Sequence, residues 1–138
     1  MFLISTQKTC VLVFSAYICS LLLIGMRVLV VTETDACCGP MAAAFLNDYS
    51  TSMKAVSLGR NPSQAIEPLM VAAVRECLID LEGYVPKGMD GVDLKDFDAV
   101  YECPDLPCPT SMEACRELRD FVKNKAFVWL KGVMRNSH

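Results

Sequence analysis

Histidine is almost missing from this sequence: the single one, His138, is the last of 138 residues. That excludes most Ser-His, Cys-His and histidine-metal designs. Any general acid or base has to be a carboxylate, a thiol or a tyrosine. Excess basic charge is missing too. Thirteen Lys and Arg against 16 Asp and Glu give a net charge of −3 and a pI of about 5.1. With no basic stripe, no nucleic-acid partner is expected. No two cysteines have C-x2-C spacing; they occur as the adjacent pair Cys37-Cys38 and as Cys103-x4-Cys108, which is weak support for a metal site.

An apolar run long enough to span a membrane is also absent. Val11 to Ile24 is nearly continuous, broken by Ser15 and Ser20 and preceded by Lys8, but it falls short of the ~20 residues a spanning helix needs. Lengthening it past Arg27 would use Val28 to Val31, which are better spent on a core strand. No small-x-small cleavage site follows it. Residues 1–25 are therefore an apolar leader with three readings: a signal or anchor, an upstream extension before a start at Met26, or a helix packed on the domain. Residues 26–134 are read as one domain. The expected compartment is cytoplasmic, or membrane-anchored or exported if the leader is retained.

Eight cysteines are present. They could be the disulfides of a secreted protein or the thiols of an intracellular one. Secreted disulfide domains are usually short and loop-rich, whereas this chain alternates helix and strand signals, which favours free thiols. Val28 to Val31 reads as a buried parallel strand, Thr32 to Gly39 as a loop, and Pro40 as part of the first turn of a helix running through Met41 to Leu46. Met53 to Ser57 is a second strand and Leu58 to Pro62 a turn. Pro68 opens a helix with Leu69, Ala72, Ala73 and Cys77 on one face. Phe97 to Tyr101 is a third strand, approached through Asp93 to Asp96. Cys103 to Pro109 holds too many prolines for regular structure. Ser111 caps a last helix to Leu130, with Leu118, Phe121, Val122, Phe127 and Leu130 on its apolar side. Alternating strands and helices imply an α/β fold with a small parallel sheet and right-handed crossovers. Ligands of such sheets sit beyond the carboxyl ends of the strands, where the loops 32–39 and 102–109 are expected to meet.

A strand that ends in a loop entering a helix N-terminus is either a plain turn or an anion site built from inward N–H groups. The pattern is more specific. Val28-Leu29-Val30-Val31, the eight loop residues, Pro40 and Met41-Ala42 resemble the opening of the low-molecular-weight protein tyrosine phosphatases and the thioredoxin-coupled arsenate reductases. In those proteins a strand leads into a C-x5-R loop and then Ser-x-Met-Ala. Ser57-Leu58-Gly59 is similar to the family's Ser-Ala-Gly. Pro68 to Glu76 followed by Ile79-Asp80-Leu81 resembles its Gly-Ile-Asp helix end, and Asp96-Phe97-Asp98-Ala99-Val100 its acidic lead into the next strand. The resemblance spans residues 26–130. It implies a flavodoxin-like three-layer sandwich, phosphatase or arsenate-reductase chemistry, a phosphate or other oxyanion as ligand, and a thioredoxin-like partner. No cofactor is implied and no metal site is assigned.

Set against the family loop by anchoring on Met41, the nucleophilic cysteine falls on Thr32, the phosphate-clamping arginine on Cys38, the supporting serine on Gly39 and the loop asparagine on Asp35. Cys37 matches the reductases' second loop cysteine. A threonine hydroxyl with no base beside it is a poor nucleophile. Cys38 cannot make the bidentate contacts of a guanidinium. Glu33 and Asp35 would repel a dianion. The expectation is a domain that keeps the fold without the C-x5-R reaction: a pseudoenzyme or anion-binding module whose loop contacts are Thr32, Glu33, Thr34, Asp35, Ala36 and Gly39.

Cys37, Cys38, Cys103 and Cys108 are the candidate reactive thiols. In the reductases a cysteine after the third strand attacks the loop cysteine; Cys103 sits about one residue early for that role, and Cys108 resembles its partner in a shortened segment. Proximity to a helix N-terminus would lower the pKa of Cys37 or Cys38. Three readings stay open for the four: packing, thiol–disulfide exchange, and soft-metal or arsenite binding. Cys77 and Cys115 are read as small buried hydrophobes. Asp105, in Cys103-Pro104-Asp105-Leu106-Pro107, resembles the family's general-acid aspartate, but Leu106 stands where the family has proline; a solvated loop carboxylate is the other reading. Tyr84, Tyr49 and Trp129 are taken as packing residues. An authentic enzyme with its nucleophile moved to Cys37 is the remaining alternative.

Overall fold

A computed structural model describes residues 23–136. Strand β1 is Arg27–Thr32, helix α1 Cys38–Tyr49, strand β2 Lys54–Gly59, helix α2 Pro68–Arg75, strand β3 Ala99–Glu102 and helix α3 Met112–Asn136. A single 3-10 turn, Leu94–Asp96, precedes β3. The strands form a parallel sheet in the order β2-β1-β3. The architecture is the expected α/β, flavodoxin-like one.

The central strand explains the sheet. Val28 to Thr32 is buried without interruption, because both faces of β1 are covered, as a parallel sheet requires. Val28 and Val30 face one cluster with Ala55, Tyr101 and the buried residues of the three helices. Leu29 and Val31 face a second cluster with Leu58, covered by Val56, Met89, Val92 and Phe97. The two crossovers run in opposite directions across β1, so a common right hand puts them on opposite faces. The third layer is accordingly the segment 84–97 of the second crossover.

The helices meet the sheet through small residues. Ala42 and Ala43 are buried, which lets α1 approach closely. Asn47 then closes the outer edge of β2. Its side-chain Nδ2 donates to Ala55 O at 2.9 Å and its Oδ1 accepts from Ala55 N–H at 2.7 Å, satisfying backbone groups that an open edge would leave exposed. Ser111 caps α3 as expected, its Oγ accepting from Ala114 N–H at 3.2 Å. Arg119 pins α2 to α3 by donating to Ala73 O at 2.9 Å, and Glu76 bridges Arg116 and Arg119.

Several expected bounds and faces are corrected. The second strand begins one residue later than Met53 and runs through Gly59, because Leu58 packs in the second cluster and Gly59 pairs with Thr32. The third strand is Ala99–Glu102 rather than 97–101; Phe97 instead packs into the second cluster. The face of α2 is turned. Leu69 is 37% exposed, while Met70, Ala73 and Val74 are fully buried. The last helix continues to Asn136, where Met134 extends the row Cys115, Leu118, Val122, Ala126 and Leu130. Phe121 is 42% exposed and stands off that row. Leu23 is 1% exposed and belongs to the core. Residues 1–22 of the leader lie outside the described residues. No helix among the described residues is long and apolar enough to cross a membrane.

Candidate functional site

The loop after β1 turns its carbonyls outward. Thr32 O accepts from Arg60 N–H at 3.0 Å, Glu33 O from Asn61 N–H at 2.7 Å, Thr34 O from Ser63 N–H at 2.9 Å and Ala36 O from Glu67 N–H at 3.0 Å. A peptide is planar and trans, so the N–H that follows each carbonyl points the other way. The N–H groups of Glu33, Thr34, Asp35 and Cys37 therefore face the inside of the loop. Cys37 is the N-cap of α1 and makes no side-chain capping bond, which leaves the first N–H groups of the helix uncapped by side chains. Inward N–H groups at a helix N-terminus are the backbone arrangement that can accept an anion.

Three glycine-sized and hydroxyl contacts shape it. Thr32 Oγ1 accepts from Asp35 N–H at 3.2 Å. A Cβ at Gly39 would lie 2.7 Å from Thr32 Oγ1 and 2.7 Å from Ser57 Oγ. Thr32 and Gly39 are thus complementary in size: the branched side chain fills the space that a side chain at position 39 would need. A Cβ at Gly59 would lie 3.0 Å from Asp35 N, so the loop can rest directly on the end of β2.

Asp35 is not a ligand-facing charge, contrary to the expectation. It is fully buried, with φ at 53°. Its carboxylate accepts from the Ser57 hydroxyl, from Tyr84 Oη–H at 2.5 Å and from Lys87 N–H at 2.9 Å. It braces the loop against β2 and the segment 84–87. Tyr84, taken as a packing residue, is half of that brace. Burial first, and Asp35 second, hold its phenol well above the ordinary range. Glu33 keeps its carboxylate on the rim, where Asn61 Nδ2 donates to it at 2.5 Å.

The segment after β3 closes over the loop. Asp105 Oδ2 accepts from Glu33 N–H at 3.0 Å. The Cys38 thiol, fully buried, lies 3.7 Å from Leu106 O. The Cys103 thiol lies 3.8 Å from Cys38 O. Between the loop and this segment is a cleft of about 310 Å³ lined by Thr34, Ala36, Cys37, Ser63, Glu67, Asp105, Leu106, Pro107 and Cys108. Two carboxylates line it, and among the described residues no Lys or Arg does. Arg60, whose N–H donates to Thr32 O on the loop's outer side, is paired through its guanidinium with Glu102 at 3.0 Å.

The structure brings the four candidate thiols together at this end of the sheet, and all six described cysteines are free. They differ in character. Cys38 is lowered from the usual thiol range, chiefly because the Cys37 thiol donates to it, against the effect of burial. Cys37 is raised, first by its bond to Cys38 and then by burial. The lowering of Cys38 thus comes from the neighbouring thiol rather than from the helix N-terminus on which the expectation rested, and Cys37 moves the other way. Burial raises Cys103 to about 12 and also raises Cys108. Cys115, taken as simple packing, lies against Pro109 O at 3.5 Å and interacts with Cys108. Among the described residues no three His, Cys, Asp or Glu side chains are grouped so as to hold a metal ion.

Sequence reasoning missed Ser57, Tyr84, Glu67 and Lys87 as neighbours of the loop. Ser57 and Gly59 carried a signal in the Ser-Leu-Gly resemblance; Tyr84 and Lys87 reach Asp35 only through the tertiary fold and carried none.

Neither a protein-family model nor a curated protein sequence matches the chain. Solved structures do match. Vibrio vulnificus Wzb in complex with benzylphosphonate is 14% identical, with a TM-score of 0.66 over 78% of this chain and 98% of that one. An arsenate reductase in the phosphate binding state is 20% identical, with a TM-score of 0.64 over 78% and 98%. The low molecular weight protein tyrosine phosphatase from T. tengcongensis is 19% identical, with a TM-score of 0.67 over 78% and 99%. The chain thus has the fold of the low-molecular-weight tyrosine phosphatases and arsenate reductases, which the loop pattern resembled.

Proposed function

We propose that this domain is a chemically silent relative of the low-molecular-weight phosphatases and arsenate reductases, a binding module that keeps the anion cradle's backbone without its reaction. One observation carries the reading: Thr32, not a thiol, stands at the end of β1, and the side chain in the expected clamp position is the buried Cys38. An arginine there would supply paired donors to two oxygens of an oxyanion and of its transition state. Here, among the described residues, no guanidinium or ammonium lines the cleft, and two carboxylates do. Similar structures hold benzylphosphonate or phosphate, which supports an oxyanion as the class of ligand the backbone can take; the side chains oppose tight binding. The test is turnover of p-nitrophenyl phosphate, and of arsenate with a thiol reductant, by the purified full chain. No rate above the uncatalysed one is expected for either, and a rate that vanishes with Cys37→Ser would refute the reading.

A second reading, thiol–disulfide exchange, is favoured by one observation: Cys37 and Cys108 line the same cleft and their thiols interact. Its partner would be a thioredoxin-like protein. Thiol titration before and after a mild disulfide oxidant checks it. Loss of two thiols together, prevented by Cys37→Ala or Cys108→Ala, supports it; unchanged titration rejects it.

A further inference from the structure

We propose that Asp105 is the cradle's own anionic ligand: its carboxylate occupies the loop in place of an external oxyanion and sets the affinity for one. The inference rests on the reading of the loop as a cradle without chemistry. Glu33 N–H is the first inward donor after Thr32, and it is already spent on Asp105 Oδ2 at 3.0 Å. The contact is built rather than incidental, because the residues on either side of Asp105 are anchored on the loop. Cys103 donates toward Cys38 O at 3.8 Å, and Cys38 donates toward Leu106 O at 3.7 Å. The prolines at 104 and 107 restrict the chain between and beyond these anchors. The sulfur at position 38 thus fastens a strap, and the strap lays a carboxylate across the cradle's mouth.

A carboxylate there acts twice on an incoming dianion. It competes for the Glu33 N–H, and it repels the ligand at close range where no basic side chain among the described residues lines the cleft to offset it. Asp105 is exposed, so the strap can be altered at this position without opening the core.

The test compares the full chain with Asp105→Ala and Asp105→Asn, titrated with inorganic phosphate and followed through the backbone amides of Glu33, Thr34 and Cys37 by NMR. Removing one charge-assisted contact and one repelling charge should tighten phosphate binding by about tenfold or more in Asp105→Ala. Asp105→Asn keeps an acceptor oxygen without the charge and should fall between. The Glu33 amide should also shift in Asp105→Ala before any phosphate is added. Equal phosphate affinity in all three proteins, or a Glu33 amide that does not move, overturns the proposal. If Asp105→Ala proves unfolded, the order of Asp105→Asn and the unaltered chain decides. Failure here is separable from failure of the silent-cradle reading, which is judged by turnover of an aryl phosphate and not by phosphate affinity.

Discussion

Removing one hydroxyl, by Tyr84→Phe, tests whether the loop is held by the Asp35 brace. Tyr84 donates to a fully buried carboxylate at 2.5 Å. A hydrogen bond to a charged group contributes about 1.5–3 kcal/mol net. Tyr84 is only half-buried, and Asp35 keeps its bonds to Ser57 and Lys87, so a loss of about 1.5–2 kcal/mol is expected. With a urea m-value of about 1.5 kcal/mol/M, the unfolding midpoint should fall by ~1 M with the slope unchanged. The pH dependence has a definite sign. Burial and Asp35 raise the phenol's pKa above its ordinary value of 10.0. A group raised on folding contributes fully below its unfolded pKa and loses that contribution as pH rises beyond it. The gap between the unaltered protein and Tyr84→Phe should therefore be constant below about pH 10 and close above it. Tyr49→Phe is the control, since that ring packs at a tilt against Phe127 and is substantially exposed. A Tyr84→Phe midpoint within error of the unaltered protein, or one no lower than the control's, would refute the brace.

Three further outcomes are expected. Gly39→Ala should destabilise by about 1–3 kcal/mol in urea unfolding, although glycine to alanine within a helix ordinarily stabilises by about 1 kcal/mol, because the new Cβ meets two buried oxygens. Cys37→Ala should raise the pKa of Cys38, followed by thiolate ultraviolet absorbance, since the Cys37 thiol is the main group holding it down; an unchanged titration contradicts the pairing. Leu23→Ala should cost about 2–4 kcal/mol, as for a buried core leucine; a cost below ~0.5 kcal/mol would mean that the residue is dispensable to the core.

The strand–loop–helix opening was legible because its signals are local: an uninterrupted Val28 to Val31, a proline in the first helical turn and a run of alanines. The parallel sheet followed from alternation. What could not be read were features set by tertiary contacts. The turned face of α2 depends on where α3 lies, which no spacing within 68–77 reveals. Asp35 reads as a loop carboxylate until Ser57, Tyr84 and Lys87 converge on it from positions 22 to 52 residues away. The opposite pKa directions of Cys37 and Cys38 follow from the close pairing of two buried thiols, which adjacent positions in a sequence do not specify. Thr32 and Gly39 were legible only as departures from the family loop; that they compensate each other in volume became visible once their separation was known.

The central question is whether a cysteine in this loop can act as a nucleophile toward phosphate. The rate of p-nitrophenyl phosphate hydrolysis by the full chain, measured beside Cys37→Ser and Cys38→Ser, tests it most directly. All three should match the uncatalysed rate. Turnover by the unaltered chain that is abolished by either substitution would contradict the account.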